Sequence, residues 1–414
     1  MRPLMANALD SSATVDAAAE AARAQCPYCG VGCGLELKPP ADPADPQWTA
    51  RGDRHHPSSL GQVCVKGATV GETLHHNRLT TPLWRESLDQ PFSPISWERA
   101  FELLLVRIRA TLEQQGPGGL AIYGSGQFLT EDYYVANKLL KGALGSNNFD
   151  ANSRLCMSSA VAGYARSLGS DGPPCCYDDL DHADLVLLIG TNTAECHPVL
   201  FQRLIKRKRK QPDVLRLVVV DPRATASADP ADLHLAIRPG TDLALLQGIG
   251  HLLLELQALD ERFIANYTDG FAALRELWQE WTPQRVCDLC GIAEADLRQL
   301  AQWWAEASGV LSLWSMGVNQ SREGTATVSG IINLHLATAQ IGRSGAGPFS
   351  LTGQPNAMGG REAGGLAQLL PGYRFVANPE HRAEVERHWG FEPGSIAPQP
   401  GLAVWEQIEA MERG

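Results

Sequence analysis

Through the middle of the chain, short unbroken apolar runs alternate with stretches whose apolar positions recur every three or four residues. "ISWERAFELLLVRIRATLEQQ" has helical spacing, and "GGLAIYGSG" reads as a buried strand. "TEDYYVANKLLKGALG" reads as a helix with Thr130 as its N-cap and Gly145 as its stop. "ADLVLLIGTNTAECHPVLFQRLIKRKRK" gives strand, loop and helix, and "LRLVVVDPRAT" gives strand and loop. "LHLAIRPGTDLALLQGIGHLLLEL" and "GVLSLWSMGVNQSREGTATVSGIINLHLATAQIG" repeat the order. Strands apolar on both faces, separated by helices, predict parallel sheets covered on both sides and hence an α/β fold. In such sheets ligands sit beyond the carboxyl ends of the strands. Three predicted strand ends carry polar loops: "GTNT" at 190–193, "DPR" at 221–223 and "PGTD" at 239–242. None contains G-x-G-x-x-G, so an ordinary NAD fingerprint is absent. After residue 342, "GRSGAGPFSLTGQPNAMGGREAGGLAQLLPG" shows too little periodicity for a regular element and is expected to be a long functional loop.

The length, 414 residues, implies more than one domain. A net charge of −11 argues against nucleic acid as the main partner. The one basic run, "KRKRK" at 206–210, is expected to be a solvated helix C-terminus, where cations suit the dipole. The most apolar region, "DLALLQGIGHLLLELQAL", is interrupted by Gln247, His251 and Glu255, so no membrane span is expected. Residues 1–24 are Ala-rich and carry Asp10, Asp16 and Glu20, which reads as a disordered leader rather than a signal peptide. A cytoplasmic location follows as the expectation, and ten cysteines there are not a disulfide framework.

Residues 25–80 are Gly-rich and Cys-bearing, the composition of a small domain held by a metal centre rather than by its own core. Cys26, Cys29, Cys33 and Cys64 follow a C-x2-C-x3-C-x30-C spacing. Structural zinc sites normally use two close pairs. Three close thiols closed by one distant thiol suit a cubane [4Fe–4S] cluster better, and Gly30, Gly32 and Gly34 let the backbone curl around it. Zinc and simple packed thiols remain the alternatives. Lys66, on spacing alone, is a solvated surface charge.

Read together, the C-x2-C-x3-C…C-x-K-G segment, "RLTTPLWR" and "ISWERAFELL" resemble the molybdopterin-dependent oxidoreductases that carry two pterin guanine dinucleotides. "NSRLCMSSAVAGYARSLGSDGPP", "LIGTNTAECHPVLFQRL" and "TGQPNAMGGREAGGLAQLLPGYR" look like the catalytic subunit of bacterial assimilatory nitrate reductases. The resemblance implies the DMSO reductase superfamily fold: a small Fe–S domain plus Rossmann-like parallel-sheet α/β domains. It implies a cluster domain over 25–80, a discontinuous α/β domain over 81–152 with 345–414, and a cofactor-binding α/β domain over 153–344. It also implies that Cys26, Cys29, Cys33 and Cys64 hold the cluster, and that Lys66 relays electrons from it. Cys156 would ligate molybdenum, with Met157 walling the pocket. Gly190, Asn192, Asp221, Arg223, Gly240, Asp242, Met316, Gly317 and Gln354 would receive the pterin nucleotides. Asp221 and Asp242 also read as a turn residue and an N-cap. Arg361 is the candidate for binding nitrate, because a guanidinium fork matches a planar anion. Gln354 and Met358 have a packing reading beside the functional one. Cys175, Cys176, Cys196, Cys287 and Cys290 are read as packed thiols.

The implied reaction takes one oxygen from nitrate with two electrons and two protons, giving nitrite and water at a molybdenum bis(molybdopterin guanine dinucleotide) centre. A ferredoxin, a flavodoxin or an NAD(P)H-flavin subunit would supply the electrons. Formate dehydrogenases are the nearest rival. They tend to place His after the metal-binding Cys or selenocysteine, whereas Met157 follows here. A periplasmic nitrate reductase would need an export signal. A third possibility is a cluster-bearing electron-transfer fragment without molybdenum, against which Cys156 and Arg361 argue. Catalytic subunits of this family run longer and end in a further domain over one pterin nucleotide. The chain is therefore expected to be a front portion that is inactive alone.

Overall fold

The computed structural model describes residues 21–40, 47–74 and 78–413. The chain divides into a smaller unit, Met1–Cys26 with Cys33–Thr80, and a larger one, Pro27–Gly32 with Thr81–Gly414. In the smaller unit, strands Ala22–Gln25, Gly34–Lys38 and Thr49–Gly52 form an antiparallel sheet in that order. Leu35 and Val70 are buried beside Cys26 and Cys33. Residues 1–20 of the expected leader lie outside the described residues, but its last part is corrected. Ala22–Gln25 pair with Gly34–Lys38, so the cross-strand ladder recruits residues ahead of the first cysteine.

The larger unit is built on a five-stranded, all-parallel sheet. Its order is Leu233–Leu235, Arg216–Val220, Leu185–Ile189, Val310–Trp314, Gly347–Ser350. Leu185–Ile189 and Val310–Trp314 are buried along their whole length, which accounts for their unbroken apolar runs. Helices Ser153–Leu168, Asp242–Glu255 and Gly324–Ala337 contribute most of their buried side chains to one core with these strands. Helix Ser153–Leu168 crosses Gly324–Ala337 so closely that a Cβ on Gly163 would lie 2.3 Å from Val328 Cγ1. The expected elements are therefore present, with one addition. The stretch after residue 342 holds the edge strand Gly347–Ser350 and the helix Ala357–Glu362. Its period is too short to read because each element is a turn or so long.

A second parallel pair joins Ile122–Gly124 to Phe149–Ala151. The first of these is not the buried strand expected, since Tyr123 is exposed. Between them, helix Thr130–Asn137 runs into a π-helical turn, Lys138–Ala143, and Gly145 at φ +72° ends it. The start differs from expectation. The carboxylate of Asp132 accepts from Leu129 N at 3.0 Å, so Thr130 is the first helical residue and not the cap. Lys141 is fully buried, and its ammonium donates to the carbonyls of Gly364 (2.9 Å), Leu366 (2.9 Å) and Leu369 (2.5 Å). Asn147 Nδ2 donates to the carbonyls of Ala397 and Gln399, and Val404 N to Asp150 Oδ2. Buried polar bonds thus tie this early segment to residues more than 200 positions downstream.

Helix Trp97–Gln115 begins as expected, with Ser96 Oγ accepting from Arg99 N at 3.2 Å. None of its residues is buried, and Trp97, Phe101, Leu104, Leu105 and Val106 are all at least half exposed. The basic run ends helix Pro198–Lys210 as expected but is not simply solvated. Arg207 Nη1 donates to Leu180 O at 3.1 Å and Lys208 Nζ to Asp232 at 2.5 Å. Among the described residues, no helix is long and apolar enough to cross a membrane.

His335 lies in the core with Nδ1 on Gln340 O and Nε2 on Ser312 Oγ, and burial lowers its pKa to about 3. The folded state keeps this ring neutral while the unfolded state protonates it near 6.5. The unfolded chain therefore binds the extra proton, and stability falls as pH drops from about 6.5 towards 3. The expected slope is about 1.4 kcal/mol per pH unit for this one proton. Denaturant titrations across that range should show it, and His335→Gln should remove it.

Candidate functional site

The hairpin of the smaller unit closes between two of the expected ligands. Cys26 N donates to Cys33 O at 2.8 Å directly beyond the Gln25–Gly34 pair. Cys64 caps the start of the short helix Val65–Ala68, and a Cβ on Gly67 in that helix would lie 3.6 Å from Cys26 Sγ. Cys26 and Cys64 thus lie on either side of one short helix in this unit, and Cys33 is tied to Cys26 through the backbone. Cys29 sits on the loop 27–32, which belongs to the larger unit, and its carbonyl accepts from Gly32 N at 3.1 Å. Among the described residues, no three His, Cys, Asp or Glu side chains are grouped to hold a single metal ion. Zinc needs its sulfurs about 2.3 Å from one centre, whereas a cubane gives each thiolate its own iron. Cysteine thiols are the donors that iron–sulfur chemistry uses. Lys66 is exposed on the same short helix.

In the larger unit, Cys156 lies in the first turn of helix Ser153–Leu168, where its N–H bonds to Asn152 O at 3.1 Å. Its thiol is buried, 3.7 Å from Met316 Sδ, and Gly353 lies beside it. Burial pushes this thiol's pKa up; the N–H of Gly353 and the charge of Arg361 pull it down. The structure thus brings together residues from three distant parts of the chain: Cys156, Met316, and the nearby pair Gly353 and Arg361. Met157 turns into the core, its sulfur accepting from Asn319 Nδ2 at 3.1 Å. Gln354 packs against Gly126, and its Oε1 is buried with no partner among the described residues. Met358 is exposed.

Arg361 ends the helix Ala357–Glu362 and is buried, with Nη1 2.9 Å from the carboxylate of Asp171. Its Nε has no partner among the described residues. Asp171 is the residue that sequence reasoning missed. Burial raises its pKa and Arg361 lowers it, so the pair is coupled. Its signal was slight, a lone acid in "GSDGPP".

The strand-end loops meet at the carboxyl edge of the sheet. Gly190 follows strand Leu185–Ile189 at φ +58°, and its carbonyl accepts from Gly317 N at 2.9 Å. A Cβ on Gly317 would fall 2.6 Å from Gly190 Cα, so the two loops touch backbone to backbone. Asn192 Oδ1 accepts from Ser227 Oγ at 2.9 Å, and Ser227 Oγ accepts from Ala194 N at 2.9 Å. Ser227, which was not anticipated, locks this loop. Asp221 is buried and accepts from Arg223 N at 2.9 Å, the turn role expected of it. Asp242 is not an N-cap. It is the first residue of helix Asp242–Glu255, behind Thr241. Its pKa is raised, first by burial and also by the charge of Asp221, while its own backbone N–H opposes this. Two acidic groups thus face the same edge with acceptor capacity left over. Arg223 and Gly240 are exposed there. Of the remaining cysteines, Cys175 and Cys290 contact the carbonyls of Pro348 and Thr241, both at 3.6 Å.

Comparison with known proteins gives a consistent picture. Residues 78–398 match the sequence model "Molybdopterin oxidoreductase", and residues 19–76 match "Molybdopterin oxidoreductase Fe4S4 domain". The chain is 55% identical over 399 residues to a nitrate reductase of Synechocystis sp., covering 94% of this chain and 55% of that protein. It is 43% identical over 394 residues to a nitrate reductase of Klebsiella oxytoca, covering 95% and 43%. It is 41% identical over 405 residues to a periplasmic nitrate reductase of Desulfovibrio desulfuricans, covering 94% and 52%. The chain therefore spans about half the length of the curated relatives it matches. Acetylene hydratase from Pelobacter acetylenicus shares the fold, with a TM-score of 0.68 at 22% identity over 78% of this chain and 44% of that one.

The contact between Gly190 and Gly317 can be tested directly. Gly317→Ala should force the loops apart and lower unfolding stability by about 1–3 kcal/mol, read from denaturant midpoints.

Proposed function

The chain belongs to the molybdopterin oxidoreductase family, and we propose that it carries the cluster, metal and pterin-nucleotide sites of an enzyme that reduces nitrate to nitrite. The observation that carries this reading is the buried neighbourhood of Cys156 and Arg361, a soft metal-binding thiol within electrostatic reach of a guanidinium. When bound, molybdenum on its two pterins supplies the two-electron chemistry that takes one oxygen from the anion. A buried thiol in a helix's first turn, polarised by Gly353 N–H, fits a soft metal of that kind. Asp221 and Asp242 at the sheet edge fit the donor-rich face of guanine, and Asn192 fits a phosphate or ribose.

The protein's own residues then divide the work. Arg361 binds nitrate. Asp171 holds Nη1 and offsets part of the buried charge, leaving the unpartnered Nε for the anion. Met316 and the backbone of Gly353 fix the direction of the Cys156 sulfur. Cys26, Cys29, Cys33 and Cys64 hold the cluster, and Lys66 relays its electrons. A ferredoxin, a flavodoxin or an NAD(P)H-flavin subunit delivers them, in nitrate assimilation in the cytoplasm. The discontinuous domain, 81–152 with 345–414, is supported by the bonds from Lys141 and Asn147 to the later segment.

Anaerobically purified protein should contain molybdenum as well as iron; iron alone would sink the enzymatic reading. Cys156→Ser should abolish molybdenum signals while leaving the cluster, and unaltered activity and spectra would remove Cys156 from the metal. With a viologen dye as donor, an active preparation should turn over nitrate and not formate. In that assay Arg361→Lys should cut kcat/KM for nitrate on the order of tenfold to a hundredfold, because the planar fork is lost.

A further inference from the structure

His197 ends the loop after strand Leu185–Ile189 and is almost wholly buried. Its Nε2 lies 2.7 Å from Thr352 O, far along the chain. A carbonyl only accepts, so Nε2 carries the proton, and burial keeps the ring neutral. Nδ1 is then an acceptor with no partner among the described residues. A fully buried histidine with one strong bond to a distant backbone carbonyl is a clamp on that backbone.

The clamped peptide has two further contacts. Gly353 N–H polarises the thiol of Cys156, and Gly353 O accepts from Gly30 N at 2.9 Å. Gly30 follows Cys29 directly on loop 27–32 of the same unit, and its own carbonyl accepts from Tyr177 Oη at 2.8 Å. A Cβ on Gly30 would lie 1.7 Å from Thr352 O and 3.4 Å from His197 Nε2. Only glycine permits this approach. One short backbone segment therefore faces the metal-binding thiol on one side and a cluster-binding loop on the other.

We propose that His197 is a positioning residue whose clamp on Thr352 sets, through Gly353, both the Cys29–Gly30 loop and the donor environment of Cys156. Resting as it does on the function proposed above, this deepens it: the two redox centres share one mechanical support and their properties move together. Releasing the clamp frees the Thr352–Gly353 peptide to rotate, which withdraws the Gly353 N–H from the Cys156 sulfur and, through the changed Gly353 torsions, shifts the next carbonyl, Gly353 O, away from Gly30 N. Loss of an N–H donor to a thiolate lowers the potential of the metal it ligates.

The test uses the purified holoprotein and three variants. His197→Leu removes the donor, His197→Gln retains an N–H in reach of Thr352 O, and Gly30→Ala drives a methyl into the same peptide. Hydrogen exchange at the amide of position 30 should quicken at least tenfold in His197→Leu and Gly30→Ala and remain near wild type in His197→Gln. EPR-monitored redox titrations should show the cluster and molybdenum midpoints both shifted in His197→Leu and Gly30→Ala, with metal contents unchanged. Unchanged Gly30 exchange in His197→Leu would overturn the proposal, as would identical behaviour of His197→Leu and His197→Gln. So would a shift of one centre without the other. If His197→Leu does not fold, His197→Asn, whose shorter amide cannot reach Thr352 O, carries the same comparison against His197→Gln. Protein that holds the cluster but no molybdenum would defeat the functional reading, while Gly30 exchange would still decide the role of His197.

Discussion

A thiol that is to ligate a metal from inside a protein faces opposing demands. It must be shielded from water, yet shielding favours its protonated, non-ligating form. On the function proposed here, Cys156 would meet both demands. Its burial in a helix's first turn raises the thiol pKa, and the Gly353 N–H and the Arg361 charge work against that rise. Cys156 and the two groups that oppose its rise come from separate parts of the chain, so the fold must bring the Ser153–Leu168 helix and the 352–361 segment together before the site exists. The parallel sheet provides that registration, because strands Val310–Trp314 and Gly347–Ser350 lie side by side and both point their carboxyl ends at the site.

Arg361 illustrates the same compromise with opposite charge. A buried guanidinium without a counter-charge is costly, and Asp171 offsets that cost by occupying one nitrogen. Asp171 does not occupy every donor: Nε has no partner among the described residues, and on the function proposed here it would be the donor left for the anion. Near the strand ends, the charge of Asp221 raises the pKa of the buried Asp242, and on the function proposed here both carboxylates would accept from the N–H donors of a bound ligand.

Much of this was legible in the sequence, and for identifiable reasons. Leu185–Ile189 and Val310–Trp314 are buried on both faces, so their apolar runs announce a parallel sheet. The cysteine spacing is local and survives without any knowledge of the fold. What was hidden is what depends on distant partners. The segment after residue 342 is Gly-rich and aperiodic, but it is ordered by a buried lysine more than 200 residues earlier in the chain, a contact no local pattern encodes. Thr130 looked like a cap, yet Asp132 reaches back to the preceding amide and takes that role. The strand Ala22–Gln25 alternates apolar and polar over only four residues at the end of an Ala-rich stretch, too short to read alone, and it is held by the ladder that Gly34–Lys38 offers it. Asp171 and His197 matter through what they touch, and a lone acid or imidazole in a loop carries no spacing from which to infer it.

Helix Trp97–Gln115 has a physical consequence of its own. It presents tryptophan, phenylalanine, leucine and valine to water over its first ten residues. Excluded salts such as sulfate strengthen the drive to remove such surface from water. The polypeptide will therefore adhere to phenyl matrices, brighten solvent-sensitive dyes and associate with itself in concentrated sulfate, so its behaviour on a column will report on an uncovered helix long before any assay reports on its metals.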